Sequence, residues 1–137
     1  MKTLISAPEL AARLQGLHAP RLLDCGFDLA DPAAGRRAWQ QAHLPGAVYV
    51  HLDEDLSGPK NDAQGRFQGR HPLPDRATFA ARLGALGIGP DTPLVAYDAQ
   101  GGPYAARAWW LARWMGHEDV AVLDGGLAAW RAAGGEP

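Results

Sequence analysis

The run from Leu94 to Trp110, LVAYDAQGGPYAARAWW, places an apolar segment, a glycine-rich turn and a helix in succession. Glycines 101 and 102 let backbone N–H groups turn inward, and the start of the following helix adds a positive dipole end. Such a nest stabilises an anion. A cysteine at its entrance would have its thiolate stabilised there, but the residue leaving the apolar segment is Asp98. The segment thus supplies its own anion, and the Asp98 carboxylate is expected to accept hydrogen bonds from the loop amides. It would also repel an anionic substrate by about 4 kcal/mol at roughly 4 Å. The competing nucleophile is Cys25, at the end of RLLDC. No cation in LLDCGFDL lies beside it, and an unperturbed thiol with pKa about 8.5 is only a few percent ionised at neutral pH. Cys25 is therefore read as a small buried apolar side chain, with a Cys25-dependent enzyme as the weaker alternative.

The elements that must position these groups follow from local signals. Ser6 and Glu9 form a capping box for a helix whose Leu10, Leu14 and Leu17 keep helical spacing. Residues 21–25, 48–50, 93–97 and 119–123 are short apolar runs bounded by turns, and read as strands. A helix is expected from Asp31-Pro32 to Ala42, another after Asp75 with a Schellman ending at Gly87-Ile88, another over 104–115, and a last one over 126–133. His43 in HLPGA fixes a turn. Strands alternating with helices give an α/β fold, a doubly wound and mainly parallel sheet of about five strands with helices on both faces. Ligands bind such a sheet beyond the carboxyl ends of its strands. The loops after Cys25, Val50 and Tyr97 all lie at that edge. Residues 51–74 are polar, rich in glycine and proline and without periodicity, and are expected to be partly mobile.

Composition narrows the function classes. The 137 residues fit one domain with a real core. A net charge of −2 gives no footprint for nucleic acid or an anionic membrane. A single cysteine excludes an internal disulfide and a multi-cysteine zinc site, and suits a reducing compartment. MKTLISAPEL is not a signal peptide and no apolar run approaches a membrane span, so a soluble cytoplasmic domain is expected. No metal or nucleotide motif is present, and no cofactor is expected.

The chain resembles the rhodanese-type sulfurtransferase domains. HLPGAVYVHLDEDLSG is similar to the family signature that leads into an aspartate-rich loop. LVAYD, AARAWWLARWMGH and VAVLDGGLAAW resemble the fourth strand, its helix, and the last strand with its Gly-Gly helix start. These motifs stand in family order from Ser6 to Pro137. In active members a cysteine follows the fourth strand and carries sulfur as a persulfide, and here that place holds Asp98. Tyr97-Asp98 ahead of Ala-x-Arg-x-Trp-Trp resembles the non-catalytic amino-terminal half of two-domain thiosulfate or 3-mercaptopyruvate sulfurtransferases.

The resemblance implies that residues 1–137 are one rhodanese-like domain, inactive alone, whose partner is a catalytic rhodanese domain carrying the cysteine. It further implies a small sulfur-donor anion as substrate. Asp53 in HLDEDL and His71 in GRHPLPD match an aspartate and a histidine that reach across to the other domain's catalytic loop. A carboxylate that orients an imidazole prepares it to exchange a proton. The alternative is a free-standing inactive module that binds a protein partner. Related phosphatases need a cysteine and, six positions later, an arginine, where this chain has Asp98 and Tyr104. Arg107 is expected to pair internally. Arg36, Arg37, Arg66 and Arg70 could attract an anion but are read as solvated, and Trp110 and Trp114 as core or an inter-domain surface. His18, His51 and His117 receive no functional role.

Overall fold

A computed structural model describes residues 3–137. In chain order the elements are β1 (Leu4–Ile5), α1 (Ala7–Leu14), β2 (Arg21–Asp24), α2 (Ala34–Gln41), β3 (Val48–Tyr49), α3 (Arg76–Ala85), β4 (Leu94–Tyr97), α4 (Pro103–Trp114), β5 (Val120–Leu123) and α5 (Gly126–Ala132). The strands form one sheet in the order β1-β5-β4-β2-β3, and every pairing is parallel. This is the doubly wound α/β fold expected from the sequence.

The apolar runs are continuous because the central strands are covered on both faces. Leu23, Ala96 and Val122 point to one side, where Phe79 and Leu83 of α3 and Ala108 and Leu111 of α4 cover them. Leu22, Val95 and Ala121 point to the other, against Leu10 of α1, Leu44 and Trp130 of α5. Helix ends follow their local signals. Ser6 Oγ accepts from Glu9 N at 3.2 Å while Glu9 Oε1 accepts from Ser6 N at 3.3 Å. The Schellman ending forms through Ile88 N to Leu83 O at 2.9 Å and Gly87 N to Gly84 O at 3.0 Å.

Two local expectations need correction. The first helical turn after Asp31-Pro32 is not helix: Asp31 Oδ1 accepts from Ala33 N at 3.2 Å and holds a turn there, so α2 starts at Ala34. The fifth strand is β1, which the sequence did not point to. Two residues carry no period, and β1 is defined by its neighbour β5: the amides of Val122 and of Asp124, just past the strand, donate to the Thr3 and Ile5 carbonyls at 2.8 and 2.9 Å.

Strand order decides where a site can lie. β2 stands between β3 and β4, so the chain winds outward after β2 and returns beside it at β4. The crevice between their carboxyl ends is the switch point of the sheet, the usual ligand position in this architecture. A cavity of about 560 Å³ opens there, lined by Asp24, Gly26, Tyr97, Asp98 and Gln100 among others.

Gly126 ties the last helix to this edge. Its φ is +59°, and a Cβ added to it would lie 2.2 Å from the Asp98 carbonyl oxygen. Gly126→Ala should therefore lower stability by about 1–3 kcal/mol, seen as a lower urea midpoint at unchanged slope. An unaltered midpoint would mean that the two segments are not in fixed contact.

Candidate functional site

Helix α4 begins against the side chain that precedes it. Gly101 and Gly102 have φ of +91° and +108°, which turns the loop amides toward Asp98. Pro103, the first helical residue, has no N–H, so the first free helical amides belong to Tyr104 and Ala105. Asp98 Oδ2 accepts from both of these at 2.9 Å. Its Oδ1 accepts from Gln100 N at 2.9 Å and Gly102 N at 2.8 Å. The residue is only 6% exposed. Four inward donors thus converge on one internal carboxylate, as the sequence reading expected, and the carboxylate has taken the place of any external anion at them.

Cys25 offers no substitute nucleophile. It has no exposed surface, and its Sγ lies 3.7 Å from the Leu23 carbonyl oxygen. Burial first, and then the nearby charges of Asp24, Asp98 and Asp55, push its thiol well above the ordinary value of 9.0. A buried thiol of this kind is inert at neutral pH. Beside it, Asp24 accepts from Gly26 N at 3.0 Å and bonds the Tyr97 hydroxyl, which itself accepts from Leu44 N at 3.0 Å. Burial outweighs these bonds and raises the Asp24 carboxyl above 3.8. Burial and the charge of Asp24 likewise raise the Tyr97 phenol, which stays protonated.

Asp53 and His71 come together across the long loop. His71 Nδ1 and Asp53 Oδ1 are 3.2 Å apart, within ion-pair distance. The angles at these atoms fall short of a hydrogen bond, and both are buried without another partner. Each side chain keeps about a quarter of its surface exposed. His71 lines a cavity of about 350 Å³ with Leu29, Leu52, Arg70, Tyr104 and Arg107. Asp53 is placed by His51, whose Nδ1 accepts from Asp53 N at 3.0 Å and from Glu54 N at 3.2 Å. The His51 proton therefore sits on Nε2, which donates to Pro32 O at 3.0 Å. An imidazole facing a carboxylate, with a cationic side chain alongside, can hold or pass a proton.

The Rhodanese-like domain profile matches residues 6–133. The chain belongs to this family. Over 134 residues it is 50% identical to a Pseudomonas aeruginosa protein named "Probable 3-mercaptopyruvate sulfurtransferase", covering 96% of the chain and 45% of that protein. It is 46% identical to "Thiosulfate/3-mercaptopyruvate sulfurtransferase 2" of Arabidopsis thaliana, covering 95% of the chain and 38% of the relative. Its fold superimposes on the 3-mercaptopyruvate sulfurtransferase of Leishmania major with a TM-score of 0.83 at 30% identity, over 99% of the chain and 37% of that structure. The rhodanese-like chain thus spans less than half the length of these relatives.

Around the site, the structure assigns partners to most side chains considered from sequence. Arg107 is internal as expected, but bonded to backbone carbonyls of residues 56, 71 and 72. Arg36 pairs with Glu54 at 3.4 Å, Arg37 with Asp31, and Arg66 with Asp62 at 2.8 Å. Arg70 alone of those four has no ion pair among the described residues. His43 Nδ1 donates to the Trp39 carbonyl at 2.6 Å and its ring stacks on the Trp39 ring, a turn role. Trp110, which is exposed, stacks at 5.9 Å on Trp114, which is partly buried against the core. Three residues that sequence reasoning passed over hold the long loop: His51, Asp55 and Arg82. Asp55 accepts from His51 N at 2.7 Å and forms an ion pair with Arg82 Nε at 2.6 Å. The spacing of His51 and Asp55 four apart was the available signal. Among the described residues, no group of three or more His, Cys, Asp and Glu side chains could hold a metal, and no helix is long and apolar enough to cross a membrane.

Two outcomes test this description. Asp98→Ala should cost about 3 kcal/mol, because four amides lose a charged acceptor, and Asp98→Asn roughly half of that; urea denaturation reads both. Asp24, with its folded value raised, binds a proton more tightly folded than unfolded. Its contribution is favourable at acidic pH and is lost as pH rises from 3.8 through the raised value. The stability difference between the wild type and Asp24→Asn should accordingly move in favour of Asn between pH 4 and pH 7; a pH-independent difference would contradict the raised carboxyl.

Proposed function

We propose that this chain is the non-catalytic rhodanese-like domain of a sulfurtransferase that takes thiosulfate or 3-mercaptopyruvate as donor. The observation that carries this reading is the Asp98 carboxylate bonded to four loop amides where active relatives have a sulfur-loaded cysteine. A carboxylate cannot form a persulfide, and the one thiol in the chain is buried. Sulfur chemistry then belongs to a second rhodanese domain whose loop cysteine attacks the donor sulfur. The names and lengths of the relatives support such a two-part protein.

In this reading Asp53 and His71 face the partner's cysteine loop. Sulfur passes to the thiolate, and the fragment left behind takes up a proton. An imidazole steadied by a carboxylate is suited to deliver it. Arg70, unpaired beside His71, adds positive charge that draws in the anionic donor.

The test uses the chain alone and in combination. Alone, incubated with either donor and cyanide, it should release no thiocyanate and gain no sulfur by mass spectrometry. Adding a cysteine-bearing rhodanese domain of a close relative in trans should give turnover with 3-mercaptopyruvate. His71→Gln and Asp53→Asn should then lower kcat by roughly 10²–10⁴ and 10–10²-fold respectively. Sulfur loading of the chain by itself would overturn the proposal.

A further inference from the structure

We infer that Arg107 is a positioning residue for the Asp53–His71 pair. This rests on the reading above, in which that pair serves sulfur transfer. The guanidinium sits on α4, two residues beyond the amides that bind Asp98, and is half-buried with no carboxylate within ion-pair distance among the described residues. Its hydrogen bonds go instead to the long loop. Nε donates to Leu56 O at 3.0 Å, and Nη2 donates to His71 O at 2.8 Å and Pro72 O at 3.1 Å. Leu56 lies on the outgoing arm of the loop, three residues past Asp53. His71 and Pro72 lie on the returning arm. One planar fork therefore clamps both arms, and one of its acceptors is the carbonyl of His71 itself.

The pair depends on such a clamp because it does not hold itself together. His71 Nδ1 and Asp53 Oδ1 approach to 3.2 Å without hydrogen-bond alignment and have no other partners. Their separation is set by where the two backbones stand. On the Asp53 side the backbone is fixed by the His51 imidazole. On the His71 side it is fixed by Arg107, with a cross-arm bond from Gly58 N to Pro72 O at 2.9 Å. The arms are close there: a Cβ on Gly58 would meet Leu73 O at 2.6 Å. Charged donors to carbonyls are the stronger class of hydrogen bond. A lysine at this position keeps the charge but lacks the fork that reaches two arms at once.

Arg107→Gln and Arg107→Lys test the inference in two readouts. In the chain alone, the nuclear Overhauser contact between the His71 ring and the Asp53 methylene should weaken, and Gly58 amide exchange should accelerate about tenfold or more. Exchange at Val95 and Ala121 in the sheet should stay as in the wild type. Where the Gln variant is too unstable to measure, the Lys variant carries the same comparison with a smaller effect. With a cysteine-bearing rhodanese domain in trans, kcat should fall by roughly 10–100-fold in the Gln variant while KM changes little, with partial recovery in the Lys variant. An unchanged ring contact together with unchanged Gly58 exchange overturns the role of Arg107, whatever happens to turnover. Loss of the contact with full turnover retained upholds the positioning role and overturns the proposed function of the pair.

Discussion

The carboxylate of Asp98 collects four amide hydrogen bonds at the junction of β4 and α4, and the organisation of the carboxyl edge follows from that collection. An N–H group left without a partner in a buried turn costs about 1–3 kcal/mol, so a loop with four inward amides must contain an anion or change shape. The protein meets the constraint with a side chain from its own strand. That choice fixes the start of α4 and so the direction in which Arg107 leaves the helix. It also seats the backbone of residue 98 against Gly126, at the opening of α5. The three parts of the edge are therefore held through one residue.

Much of this was legible along the chain, because it is local. The capping box at Ser6, the Schellman turn at Gly87 and the inward amides at Gly101-Gly102 each arise within six residues, from side-chain and backbone chemistry that a sequence displays directly. The central strands were legible because burial on both faces leaves uninterrupted apolar runs. What was hidden is non-local. β1 is a strand only because β5 passes beside it. His51 looks like any loop histidine until its ring is seen accepting amides from its own turn. The Asp53–His71 contact was suggested by resemblance alone, since it joins residues on two arms of a loop without periodicity. Arg107, on a different element, brings the arms together.

The long loop shows how a segment without regular structure is still given a shape. Its inner turn is closed by His51 and Asp55, and Asp55 is tied to α3 through Arg82. Its returning arm is closed onto α4 by the fork of Arg107. Between them a single antiparallel bridge, Asn61 with Phe67, and the bonds around Asp62 shape the outer part. Charged groups are used here as braces on carbonyls and amides, where one ion reaches several acceptors or donors that neutral side chains would take singly.

One property of the Asp98 junction bears on how a two-domain enzyme would cycle. A loop that loads and unloads sulfur gains and loses a charged atom at every turnover, and its surroundings must accommodate both conditions. A carboxylate that is part of the polypeptide keeps the same charge and the same four bonds throughout. Under the proposed reading, the Asp98 junction would stay the same through every turnover, and the change of charge at a sulfur-bearing loop would be met on the other side of the cleft.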